Sequence, residues 1–473
     1  TLIERVNDPN TKEAAVFALF CVLETQVEAL LPHVADFLSL FAGLLGDGSV
    51  SVKTNAVRAL DIIAQFIDED AEVSSSLASS FSQTIPAMVQ VLGEVLASGD
   101  LDNVKEVFNT FNNLLFVDSK IMGDHFTTLV ELMLQIAANK DLDDEIRGFA
   151  LLWLTMTVSM KRSKIVKMGQ TITSIAVQIA AEEIDAEEEL AVEEDENENE
   201  ESTANSLALR LLSVLASELP PAQACAIILD RAQQLITLQS PFDKRAALLS
   251  IGIASAGSPD YFNNFVKKVQ PILVAGLSDP EPIVSVSALR CLAQLTTELT
   301  ENIAQYHREL LPLVMSLVDS SKNAKAYKYA CHALDGLIEY MTHDAITEYL
   351  EALVHKLFLM LSTANTPGLR TAIISAIGSA AFAAGRSFTP YFEGAIQALE
   401  PFIRDMNVAT EDEEVEMKAA TFENISTMAR AVGSEAFSKY ATPLLQAAYS
   451  ALSSEQSRIS ESGFVFISNR SKH

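Results

Sequence analysis

Carboxylates, amides and hydroxyls recur at fixed places beside an apolar helical stripe, and these are the residues whose spacing could do chemistry. Asp335 and Glu339 follow Ala330, Ala333, Leu334 and Leu337, and at about 100° per residue they turn away from that stripe together with His332. Arg58, Asp61 and Gln65 hold the matching places relative to Ala56, and Glu423 and Asn424 hold them near Ala420. The chemistry this offers is recognition: carboxylates pair with Lys or Arg, and an Asn amide holds peptide backbone. Ser375, Ser379 and Phe382 form a second kind of candidate, on a stretch from Pro367 to Gly385 rich in small residues. Small side chains leave room for a long Lys stem whose methylenes Phe382 would contact; close helix packing explains the same composition equally well. Each residue taken singly also reads as the solvated side of an amphipathic helix, whereas the acidic surface as a whole favours binding.

Catalysis finds little support. The chain lacks a P-loop, a dinucleotide-binding glycine motif, HExxH, GxSxG and an EF-hand loop. Its histidines (33, 125, 307, 332, 343, 355 and 473) are scattered without metal-ligand spacing. Cys21, Cys225, Cys291 and Cys331 sit singly in apolar runs, as small core residues of a reducing compartment do. No enzyme, cofactor, catalytic or metal site is expected.

The elements that must position the candidates are announced by a short phrase the chain keeps rewriting. It reads Asn55-Ala56-Val57-Arg58-Ala59-Leu60, then Ser287-Ala288-Leu289-Arg290-Cys291-Leu292, then Tyr329-Ala330-Cys331-His332-Ala333-Leu334. The marker positions are Ala15, Ala56, Thr110 (loosely), Ala150, Ala208, Ala247, Ala288, Ala330, Ala372 or Ala376, and Ala420, several of them 41 or 42 residues apart. That is the period of a two-helix repeat. Each marked helix trails another amphipathic one across a tight turn, as in Val27 to Leu45, Gly46-Asp47-Gly48, and Val50 to Ile67. Turns at Ser98-Gly99-Asp100, Asp141-Leu142-Asp143 and Ser278-Asp279-Pro280 follow the same grammar, with Asp or Ser to cap and Gly to end a helix. Trp153, in Leu151-Leu152-Trp153-Leu154, reads as core. About ten or eleven helix pairs fit in the chain, giving an all-α, right-handed superhelical solenoid over 1–473 as a single array.

The 473 residues are 49% hydrophobic, mainly Ala, Leu, Val and Ile, with a formal net charge of −30. Such a charge repels nucleic-acid phosphates and anionic lipid and attracts basic protein segments; it also serves solubility. No direct nucleic-acid contact and no membrane insertion are expected, since no run of about 18 uncharged apolar residues is present, and a soluble intracellular monomer is. Two inserts break the rhythm. Glu182 to Glu201 holds thirteen Asp or Glu among twenty residues and is expected to be a disordered loop inside one repeat. Asn407 to Glu416 is expected to lengthen a later turn.

The paired helices, the Asp-containing turn and the phrase from Val284 to Leu292 resemble HEAT repeats. With the acidic insert, the uneven period and the negative charge, the chain resembles the importin-β (karyopherin-β) family of nuclear transport receptors. Within it the wording is closest to the branch importing ribosomal proteins and histones, the importin-four type and its yeast counterpart. The resemblance implies that trailing helices line a concave cargo surface and that the receptor shuttles between cytoplasm and nucleus. It implies Ran-GTP and Phe-Gly nucleoporins as further partners, and a coupling role for the acidic loop. Family receptors carry about twenty repeats, so the chain, which begins without Met and stops inside a helical pattern, is expected to be a middle segment. The seven cargo-binding candidates are Asp335, Glu339, Ser375, Ser379, Phe382, Glu423 and Asn424. The alternative is a HEAT scaffold of a phosphatase or chromosome-organising complex; the uneven period and long acidic loop argue against the phosphatase type.

Overall fold

The computed structural model describes residues 2–25, 31–69, 71–117, 119–191, 203–321, 323–404 and 411–470. Among the described residues there are α-helices and short 3-10 turns and no strand. The trailing helices, with one short helix of the acidic insert, are α1 (Lys12–Thr25), α2 (Val50–Glu69), α3 (Leu101–Asn113), α4 (Asp144–Met160), α5 (Ala186–Leu190), α6 (Ala204–Glu218), α7 (Pro241–Gly257), α8 (Pro282–Leu299), α9 (Ala324–Glu339), α10 (Pro367–Ala384), α11 (Asp412–Val432) and α12 (Ser457–Arg470). Except for α5, each packs on the next trailing helix of its unit and, from α2 on, on a leading helix that precedes it.

Helical spacing explains the pairs. In α2, Val52, Ala56, Ala59, Leu60, Ile63 and Ile67 are all buried, three or four positions apart on one face. Burying a Leu or Ile side chain contributes roughly 1.5–3 kcal/mol, so the stripe outweighs the indifferent propensity of the polar face. The turns work as the residue types require: Gly99 takes φ 72° after Ser98, and the Asp100 carboxylate accepts the amide of Asn103 at 3.3 Å. Trp153 is fully buried and its indole N–H donates to the Phe111 carbonyl at 2.9 Å, a core role. Lysines near the start of trailing helices reach an aspartate of a neighbouring pair, Lys12 to Asp47 at 2.8 Å and Lys244 to Asp279 at 2.6 Å.

Packing divides the chain into two compact units. Unit 1 comprises Thr1–Ala180 and Glu200–Ala224, and unit 2 comprises Ala181–Asn199 and Cys225–His473. Unit 1 carries an extra helix, Ala71–Ser82, which packs on α2 and lengthens the interval to α3.

The described part of the first acidic insert includes a short helix. Residues Ala186–Leu190 form α5, capped by Asp185, whose carboxylate accepts the amides of Glu187 and Glu188 at 2.9 and 3.1 Å. That cap and contacts with Arg245, Asn323 and Lys325 of the same unit supply the satisfaction that like charges alone would deny; 192–202 lie outside the described residues. In the second insert Asp412 already opens α11, and Asp412, Glu413 and Glu414 occupy its first turn, where the helix dipole favours anions; residues 405–410 lie outside the described residues. The first leading helix is a 3-10 turn at Leu31–His33 followed by Val34–Leu44, with 26–30 outside the description. The stretch Pro367–Ile403 holds an 18-residue window of mean hydropathy 1.3, apolar enough by length and composition to be weighed as a membrane span. It is broken at Gly385 (φ 53°), and α10 packs between α9 and α11, so its apolar content is core.

Candidate peptide-binding faces

In unit 1 the trailing helices α1, α2 and α3 frame a groove of about 490 Å³ lined by Glu24, Arg58, Asp61, Gln65, Glu106 and Asn109 among others. Arg58 is held from two sides, its guanidinium 4.2 Å from the centre of the Phe20 ring and its Nε 3.1 Å from a Glu106 oxygen. Asp61 accepts the Asn113 amide at 2.6 Å and the Gln65 amide at 3.2 Å. Burial raises the Asp61 carboxyl above the ordinary aspartate value, and those two amides pull it partly back. Three carboxylates face one guanidinium in the groove lining, which leaves the groove anionic and suited to an incoming ammonium or guanidinium.

In unit 2 the candidates of α9, α10 and α11 lie on successive packed helices, and several are already partnered. The Ser379 hydroxyl donates to the Asp335 carboxylate, which burial raises above the ordinary value. Asp335 was expected to face a partner freely; it is instead half-buried and tied to the neighbouring helix. Glu423 is likewise committed, accepting from Arg458 Nη1 at 2.6 Å and Nη2 at 3.3 Å, while the same guanidinium holds Glu416 at 2.9 Å. Asn424 donates to the Ala420 carbonyl at 2.8 Å and lies against Gly378, where an added Cβ would come 1.7 Å from its Oδ1. Ser375 is half-buried, Glu339 and His332 are exposed, and Phe382 is 61% exposed. The structure therefore brings Asp335 to Ser379 and Asn424 to the α10 backbone, and leaves Glu339 and Phe382 facing outward.

No group of three or more His, Cys, Asp or Glu is arranged for a metal among the described residues. Burial pushes the Cys291 thiol up to about 12 and raises that of Cys331 as well, so neither offers a thiolate at neutral pH.

Glu24, Glu106, Asn109 and Asn113 escaped sequence reasoning, although Arg58, Asp61 and Gln65 did not. The phrase around Thr110 matches the repeat only loosely because helix Ala71–Ser82 stretches the interval. The usable signal was the stripe Val104, Val107, Phe108 and Phe111 of α3; counting from it puts Glu106, Asn109 and Asn113 around the helix from the core.

Comparison with known proteins matches this architecture. The family described as importin subunit beta-1-like, TPR repeats, matches residues 101–334, and the IPO5-like family of TPR repeats matches residues 3–132. The probable importin subunit beta-4 of Schizosaccharomyces pombe is 31% identical over 469 residues, 98% of this chain and 42% of that protein. Importin-4 of Homo sapiens is 25% identical over 436 residues, 89% of this chain and 39% of that protein. The chain thus spans less than half the length of these relatives. Among solved structures, Kap121p bound to Nup53p superposes with TM-score 0.80 at 22% identity, over 100% of this chain and 45% of that one. Kap121p bound to RanGTP superposes with TM-score 0.78 at 23% identity over the same shares. Kinship that runs nearly from end to end, on a repeat of paired helices, makes the conclusion direct: the chain belongs to the importin-β family.

Proposed function

We propose that this chain is the cargo-holding segment of a nuclear import receptor, and that it recognises basic, lysine-rich localisation signals such as those of ribosomal proteins or histones. The observation that carries this reading is the anionic groove of unit 1. There a raised, half-buried Asp61 is set by two amides, with Glu24 and Glu106 beside it. A lysine entering the groove finds a carboxylate already oriented, and the Asn109 amide on the groove wall is offered to peptide backbone. Unit 2 carries a recognising face of its own, with Glu339, Ser375 and Phe382 on it and Asp335, Ser379, Glu423 and Asn424 setting its shape. The mechanism is recognition without bond-making. The charge of −30 speeds encounter with a basic segment, and a few ordered contacts fix register.

The kinship supports Ran-GTP and Phe-Gly nucleoporins as the other partners of the whole receptor, and shuttling between cytoplasm and nucleus as its location. The structure of Kap121p bound to RanGTP supports the first. A lysine-rich tail peptide titrated into the protein tests the cargo reading. Affinity should fall with rising salt by about tenfold or more between 50 and 200 mM, as counter-charged contacts are screened. Binding that ignores salt, or fails for basic peptides altogether, would remove it.

A further inference from the structure

Within unit 2, helix α5 of the acidic insert packs against α7 and the start of α9, and that place is basic. Arg245 of α7 is only 4% exposed, and its Nη2 donates to a Glu189 carboxylate oxygen at 2.8 Å. From α9, Lys325 Nζ donates to the Glu189 carbonyl at 3.0 Å. Asn323 Nδ2 donates to the Leu190 carbonyl at 2.7 Å, while its Oδ1 caps α9 by accepting the Ala326 amide at 3.0 Å. Those carbonyls belong to the last residues of α5, where a helix leaves acceptors without intrahelical partners and its dipole favours cations. Glu189 and Leu190 also line a small recess with Leu249, Ile283, Val286 and Tyr329. Arg290 closes its rim, its guanidinium 5.9 Å from the centre of the Tyr329 ring.

Three consecutive trailing helices therefore build a cationic seat in a chain whose net charge is −30. The seat reads one carboxylate, two backbone carbonyls and one aliphatic side chain. None of these is peculiar to residues 185–191; any segment with Glu followed by Leu at a helix end presents them. We propose that this seat is a docking surface for an acidic peptide of that chemistry from a partner, and that α5 is its occupant in cis, a strap that must leave before the partner enters.

The strap's advantage is one of proximity. A segment tethered in the same chain acts at an effective concentration of about 1 mM. For a seat with intrinsic Kd of about 0.1 mM, that holds off a free competitor by about tenfold. The inference does not rest on the basic-cargo reading, whose probe carries the opposite charge.

The test uses a fluorescent synthetic peptide of residues 182–191 and the full chain. Glu189→Lys with Leu190→Asp ejects the strap, and this variant should bind the peptide about tenfold more tightly than the unaltered protein. Adding Lys325→Glu in that background should cost about tenfold. A scrambled peptide of the same composition should not bind. Equal binding by the strap-ejected and unaltered proteins would overturn the proposal. Equal binding of the scrambled peptide, or no binding to the strap-ejected form up to about 1 mM, would do so too. A second readout needs no variant: excess free peptide should speed amide hydrogen exchange at 186–191 in the unaltered protein, and unchanged exchange there counts equally against the strap.

Discussion

The trailing faces of the two units carry similar residues to different ends. In unit 1, Asp61 is bonded only to amides and opens on a groove of about 490 Å³. In unit 2, Asp335 is bonded to Ser379, Glu423 is clasped by Arg458, and the basic seat holds the chain's own α5. Part of the cause lies six residues after the repeat marker. There α9 and α10 have Gly336 and Gly378, against which Thr296 and Asn424 pack, whereas α2 has Ile62, which lines the groove. Glycine lets neighbouring trailing helices close up and satisfy one another; a branched residue keeps a space between them. An acidic helix face becomes a cation site when a carboxylate lacks a charged partner and a cavity gives access, and composition alone does not supply both.

The largest effect should come from refilling the glycine position. A Cβ on Gly336 would sit 2.5 Å from Thr296 Cβ, which no side-chain rotation can move away. Gly336→Ala should cost about 1–3 kcal/mol by overpacking, offset in part by about 1 kcal/mol of helix propensity. Chemical denaturation monitored by circular dichroism measures the net loss; a stabilised variant would show that α8 and α9 are not held together by that close approach. Glu423→Ala should cost less than about 1 kcal/mol, because the pair with Arg458 is more than a third exposed and Arg458 keeps Glu416. Its lysine-peptide affinity should stay within twofold, and a tenfold loss would break the distinction between the units.

The pH responses should separate the two aspartates. Burial raises both carboxyls above the unfolded value. At Asp61 the ionised form is the one that holds a cation, so peptide affinity should decline on acidification from a higher pH than an ordinary aspartate would give. At Asp335 the folded state takes up its proton more readily than the unfolded chain, so this group's contribution to stability rises as pH falls through the raised folded value. Asp335→Asn should accordingly leave stability at pH 7 unchanged or slightly higher. Denaturation profiles across pH would contradict this if the variant lost stability at neutral pH.

What could be read from sequence was local. The turn at Ser98-Gly99-Asp100 declares itself because a glycine with positive φ and a capping aspartate act within a few residues. The buried stripe of α2 follows from spacing alone. The fate of Asp335 was not legible, since Ser379 lies 44 residues away. Nor was the strap, whose anchors Arg245 and Lys325 lie 56 and 136 residues from Glu189. Charge density in 182–201 argues for solvation, and only the tertiary position of a buried arginine reverses that argument for its first half. The same distance effect hid Asn113 from Asp61, 52 residues apart.

The central claim is that Asp61 of unit 1 is open to a basic ligand, whereas Asp335 and Glu423 of unit 2 are already spent on Ser379 and Arg458. Titrating one fluorescent lysine-rich peptide into Asp61→Asn and into Asp335→Asn, at one low salt concentration, tests it directly. The account predicts about tenfold weaker binding, or about 1.4 kcal/mol, for Asp61→Asn, and a change within twofold for Asp335→Asn. The reverse order, or equal losses at both positions, would contradict it.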